Sequence, residues 1–150
     1  KLKAMLKNMK TDTSIKNIVS AAIYRKVMNP EEWIYSKIHI GNQSVTFDLE
    51  DGELPIFEIN SPNAKTIITT RRIIEIKNEV QTVYFEDIKN INYGNFKGKI
   101  DKPKLSVFSI IDVSGRRCDF QMETGKASIG LINAVSTVLQ LKGLKTEKFF

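Results

Sequence analysis

The chain predicts an α+β domain: a small antiparallel β-barrel or sandwich closed by one C-terminal helix and preceded by a basic helical extension. Three observations predict it. Apolar residues recur with helical spacing before residue 28, alternate with polar residues after residue 43, and return to helical spacing from about residue 124. Between the helical stretches, seven short strand-like runs are separated by Gly, Asn, Asp and Pro turn residues. Finally, 150 residues with 41% hydrophobic and 27% charged side chains suit one domain that buries a core without disulfide or metal staples.

The first helical pattern is Leu2, Met5, Leu6 and Met9. It breaks at Thr11-Asp12-Thr13, whose side chains suit an N-cap, and resumes with Ile15, Ile18, Val19, Ala22, Ile23 and Val27. Asn29-Pro30-Glu31-Glu32 predicts another start, with Asn29 as cap, Pro30 in the first position and acids in the first turn. The helix so begun runs through Trp33 and Ile34 and fades by Gly41-Asn42. Val45, Phe47 and Leu49 alternate with Thr46 and Asp48 and predict a strand; Asp51-Gly52 predicts a turn into a second strand at 54–59. Strands are also predicted at 66–69, 73–76 and 80–85, with Thr70-Arg71-Arg72 as a tight polar link. The Gly-, Lys- and Asn-rich residues 92–104 predict a long loop. A hairpin follows, with strands at 105–113 and 116–122 around Ser114-Gly115. Thr124 predicts the cap of a last helix ending near Leu141, with Ala127, Leu131, Ala134, Val135, Val138 and Leu139 in one stripe and Gly143 as the C′ residue. That stripe suits a plug for an open end of the barrel or sandwich.

Charge divides the chain unevenly. Residues 1–28 hold seven cations, Lys1, Lys3, Lys7, Lys10, Lys16, Arg25 and Lys26, against one acid, Asp12, so the whole net charge of +6 belongs there. The remaining body is neutral, which argues against nucleic acid as a partner. No apolar stretch approaches the roughly 18 to 20 residues of a spanning helix. A single cysteine, Cys118, excludes an internal disulfide and suits a reducing, cytoplasmic setting.

Seven antiparallel strands followed by one amphipathic helix resemble the pleckstrin-homology-like (PH-like) superfold. Thr66-Ile67-Ile68-Thr69-Thr70-Arg71-Arg72-Ile73-Ile74-Glu75-Ile76 is similar to the strand, Thr-x-x-Arg turn, strand signature of GRAM and bacterial PH-like domains. Phe85-Glu86-Asp87-Ile88-Lys89-Asn90-Ile91 resembles the segment that follows it there. The resemblance spans about residues 44–142 and implies a seven-stranded, partly open barrel capped by the C-terminal helix. It sets a PH-like domain at 44–145 apart from a basic helical extension at 1–43. It also implies a binding module without catalysis, directed at phosphoinositide headgroups or peptides. The lipid-binding members place cations on the first two strands and the loop between them, whereas this chain has Glu50-Asp51-Gly52-Glu53 there, and three acids repel a phosphorylated headgroup.

Catalysis finds no constellation. His39 has no sequence partner, Cys118 lies on an inward strand face, and Gly125-Lys126 lacks the earlier glycine of a phosphate loop. No cofactor or metal is expected, because Glu50, Asp51 and Glu53 fail the calcium-loop template and read as a solvated turn. Candidate anion or lipid contacts are Lys97, Lys99, Lys102 and Lys104, set beside Tyr93 and Phe96, together with Arg71 and Arg72. Ile15, Ile18, Val19, Ala22, Ile23 and Val27 form a candidate interface, either with the chain's own domain or with a second copy. Two functions from different classes follow. The first is a noncatalytic PH-like module that binds a protein or peptide, self-associating through its N-terminal helices, with the peptide received by strand addition beside the C-terminal helix. The second is peripheral association with an anionic membrane surface through the basic helices and the 97–104 loop.

Overall fold

The computed structural model describes residues 10–41, 47–94 and 104–144, together with the backbone of residues 147–149. The helical pattern at residues 2–9 and the loop lysines Lys97, Lys99 and Lys102 lie outside the described residues.

Helix α1 (Asp12–Lys26) begins where Thr11 is extended and its hydroxyl accepts a hydrogen bond from the Ser14 N–H, satisfying one of the amides a helix start leaves open. Asp12 in its first turn and Arg25 and Lys26 in its last suit the helix dipole. The second expected helix shrinks to one 3-10 turn, Pro30–Glu32. Asn29 enters it at φ 51° without a side-chain cap, and the chain leaves it extended at Trp33. What stops the helix is distant: the N–H groups of Ile34 and Tyr35 and the Ser36 hydroxyl all donate to the Glu123 carboxylate, at 3.0, 2.9 and 2.8 Å. Strand β1 (Ser36–Ile38) follows in place of the predicted helical turns. The strand expected at 45–49 is not observed, since residues 47–50 are irregular and residues 42–46 lie outside the described part.

Strands β2 (Pro55–Asn60), β3 (Lys65–Thr69), β4 (Arg72–Ile76) and β5 (Val80–Tyr84) join β1 in one antiparallel sheet of order β1-β2-β3-β4-β5. The second sheet holds β6 (Ile88–Asn92), β7 (Leu105–Asp112) and β8 (Arg117–Glu123), antiparallel, with β9 (Glu147–Phe149) added in parallel to β6. β6 was not predicted as a strand. Its Ile88 and Ile91 are three residues apart, and an irregularity between Ile88 and Asn90 in the pairing with β7 lets both be buried despite that spacing.

The described residues form two separate sheets and no closed barrel. A single 3-10 turn, Phe85–Asp87, carries the chain from β5 in one sheet to β6 in the other. At the opposite corner, the outer edge of β8 meets side chains instead of a strand. The Gln121 N–H donates to Glu75 Oε2 at 2.7 Å, the Gln121 carbonyl accepts from Thr66 Oγ1 at 3.0 Å, and the Gln81 amide donates to the Asp119 carbonyl. Main-chain groups satisfied in this way need no further ladder, so the sheets pack without closing.

Helix α2 (Lys126–Leu141) starts at Gly125, not at Thr124, with Ser128 Oγ donating to the Gly125 carbonyl. Its end is the one the sequence predicts. Gly143 takes φ 67°, its N–H donates to the Gln140 carbonyl, and the Leu144 N–H donates to the Leu139 carbonyl, which together make a Schellman motif. Leu131, Ala134, Val135, Val138 and Leu139 of α2 enter one core with Ile15, Val19 and Ile23 of α1, Phe57 of β2, and Phe108 and Phe120 of the second sheet. Each large side chain so buried contributes roughly 1.5–3 kcal/mol. A side chain is missing where α2 comes closest: a Cβ at Gly130 would stand 2.9 Å from both the Phe57 and Trp33 rings. Helix α1 and β1 therefore share the core and the first sheet with the residues after 44, although the sequence sets 1–43 apart as an extension.

Candidate interaction surface

Ile15, Val19 and Ile23 are buried, and Val27 packs partly buried against the core, with α1 lying chiefly on α2 and also on β2. Ile18 and Ala22 are half-buried. Of the two readings of this stripe, the chain's own domain and a second copy, the packing seen is on the chain's own core. β-Branched side chains stacked over two turns make a packing face, and α2 presents the matching one. Lys16 follows them inward: its ammonium donates to the Gly41 carbonyl at 2.9 Å, and burial holds it below the usual lysine range.

Arg71 and Arg72 lie together at the β3–β4 turn, where internal carboxylates take both. Arg71 donates to Asp12 at 3.0 Å and to Glu50 at 3.0 Å, and also to the Asp51 carbonyl at 2.8 Å. Arg72 forks onto both oxygens of Glu53 at 2.9 and 3.0 Å, and its guanidinium stacks near Tyr84 and Phe47. Glu53 is further held by the Glu50 N–H at 2.8 Å and the Thr69 hydroxyl at 2.6 Å. The acidic turn is thus no solvated loop, because Glu53 is buried and Glu50 is engaged by Arg71 and by the Tyr84 hydroxyl. The Tyr84 hydrogen bond, then the Arg71 one, holds Glu50 below its ordinary range. Burial pulls Asp12 upward, but its hydrogen bonds from Arg71 and Thr70 outweigh that and leave it lowered. As a result, two of the candidate anion contacts spend their charge inside the fold.

Of the loop candidates, Lys104 is exposed just before β7, and Lys97, Lys99 and Lys102 cannot be placed relative to it because they lie outside the described residues. Tyr93, read as an aromatic platform, is buried with its ring 5.9 Å from that of Phe108, and burial pushes its hydroxyl well above the tyrosine range. His39 is buried, with Nε2 3.1 Å from Glu58 Oε1. Burial raises Glu58, while the His39 hydrogen bond and the charges of Lys65 and Lys37 lower it further, to below its ordinary value. Cys118 is buried and its thiol is pushed up by burial, which disfavours the nucleophilic thiolate. Among the described residues there is no cluster of metal-ligating side chains, and no helix is long and apolar enough to cross a membrane.

Among the described residues, the two sides of the second sheet are covered differently. β8 is closed by Glu75, Thr66 and Gln81, and Gln121 is pinned further by Ser61 at 2.7 Å and by the Ala64 carbonyl at 3.1 Å. The other second-sheet edge, β6, carries β9, whose residues pair Asn90 with Glu147, Ile91 with Lys148 and Asn92 with Phe149. Beside it, on the same sheet, lies a depression of about 120 Å³ lined by Asn90, Asn92, Ser109, Ile111 and Arg117. Sequence reasoning missed this edge because β6 breaks the two-residue period and its partner lies more than fifty residues away. No family model, curated protein or solved structure matches the chain significantly.

Proposed function

We propose that the chain is a noncatalytic, PH-like cytoplasmic module that binds an extended segment of a protein partner by strand addition. The single observation that carries this reading is the β6 edge, which accepts a short extended segment, β9, as an added strand. His39 and Cys118, the side chains closest to a catalytic type in the sequence, are both buried. The groove alongside α2 is a poorer receiver, since α1 already lies on that helix. Selection from a phage-displayed library of random peptides on the immobilised chain tests the reading. Enriched extended sequences that protect sheet-edge amides from hydrogen exchange are expected; no enrichment over bare support would defeat it.

One observation favours a second reading, contact with an anionic bilayer. Tyr24 near the end of α1 and Met28 just beyond it are exposed, as are Arg25 and Lys26 between them in sequence. Sedimentation on anionic and neutral vesicles at two salt concentrations separates the two. Membrane contact requires pelleting on anionic vesicles that weakens with salt, and equal, negligible pelleting on both removes it.

A further inference from the structure

The cover on β6 differs in kind from the cover on β8. Three residues in parallel pairing are held by few main-chain bonds, and parallel ladders are slightly weaker per residue than antiparallel ones. Short edge elements of this sort open locally at low cost. The neighbouring depression adds specificity. Asn90 Oδ1 is buried and has no hydrogen-bond partner among the described residues. The Arg117 guanidinium donates to Asp119 at 2.9 Å and to Ser109 at 3.1 Å, and it keeps most of its surface in solvent, so it offers a cation.

We propose that the β6 edge receives an extended segment of a partner protein, running parallel to β6, with an acidic residue opposite Asn90 and an aromatic residue opposite Asn92. The chain's own Glu147–Phe149 occupies that edge as a displaceable latch. The inference rests on the peptide-binding reading above and names its site, its sequence class and its regulation. The class comes from the register: Glu147 stands opposite Asn90 and Phe149 opposite Asn92. Main-chain bonds along the strand supply affinity, and alternate positions supply selectivity. An acid at the first position suits the cation lining the depression. A latch tethered a few residues beyond α2 competes at high effective concentration, so a partner's apparent affinity falls by the fraction of time the edge is open.

The test uses the full chain and a labelled peptide of residues 144–150, Leu-Lys-Thr-Glu-Lys-Phe-Phe. Fluorescence polarisation compares the wild type with the variant carrying Lys148→Pro and Phe149→Pro, which removes two main-chain donors from the latch. The proline variant is expected to bind the peptide about tenfold more tightly than the wild type. A peptide with Glu147→Lys and Phe149→Ser is expected to bind neither. Equal affinity of both proteins for the first peptide, or binding by neither, overturns the latch. So does loss of cooperative unfolding in the proline variant, which would make β9 a fold-holding strand. Light scattering that shows a wild-type dimer dissociated by the prolines also overturns the proposal, by giving the edge to a second copy. Library peptides that bind the wild type at another edge, unaffected by the prolines, would sink the latch and leave the peptide-binding reading standing.

Discussion

The two outer edges of the second sheet solve one problem in opposite ways. On β8, the free N–H and C=O groups are met by Glu75, Thr66 and Gln81, which are side chains anchored in the first sheet. On β6, they are met by the three-residue strand β9. The first cover is part of the core and cannot leave without unfolding, whereas the second is a segment that another segment of the same shape could replace. The comparison teaches that an edge's chemistry is less informative than what its cover is attached to. Buried carboxylates do the anchoring at the permanent seams: Glu53 for the turn before β2, Glu75 for β8, and Glu123 for the segment before β1.

Breaking the permanent side should cost the most. Arg72→Ala leaves the Glu53 side chain fully buried and without its cation, and a loss of about 3–5 kcal/mol in urea-unfolding stability is expected. Arg71→Ala, whose partners are more exposed, should cost nearer 1 kcal/mol, and equal losses for the two would contradict the geometry. Glu75→Ala strands the Gln121 N–H at the seam and should cost about 1–3 kcal/mol. Acid should act on other carboxylates of the first sheet and its flanks. Asp12, Glu50 and Glu58 lie below their ordinary values of 3.8, 4.5 and 4.5 in the folded chain, so they add stability above those values. That stability is lost as pH falls through the lower folded-state values. Thermal unfolding followed from pH 7 to pH 3 should therefore show a plateau and then a decline that begins near pH 4.5, and a midpoint that rises on acidification would contradict this. The smallest effect is expected at the replaceable edge: Lys148→Pro with Phe149→Pro should lower stability by less than about 1 kcal/mol.

How much of this was legible in the sequence depended on range. Local signals worked. Thr11 caps α1, Gly143 ends α2, and the alternation around Thr70-Arg71 and Ser114-Gly115 marks the β3–β4 link and the β7–β8 hairpin. Signals that need a distant partner did not work. Asn29-Pro30 does start a helical turn, but Glu123, nearly ninety residues away, holds the next backbone extended. Arg71 and Arg72 read as free cations because their carboxylates come from α1 and the turn before β2. One clue was present, since Asp12 is the lone acid among seven cations and is the residue that pairs with Arg71. Glu75 and Glu123 sit at strand positions where alternation assigns polar residues to solvent, and only the packing of the second sheet turns them inward.

Native-state amide hydrogen exchange, read residue by residue, addresses the contrast between the two edges most directly. The amides that pair between residues 90–92 and 147–149 should exchange through a local opening far less costly than global unfolding, while the Gln121 amide, held by Glu75, should exchange only when the whole domain unfolds. Equal protection at both edges, each tracking global stability, would contradict the account.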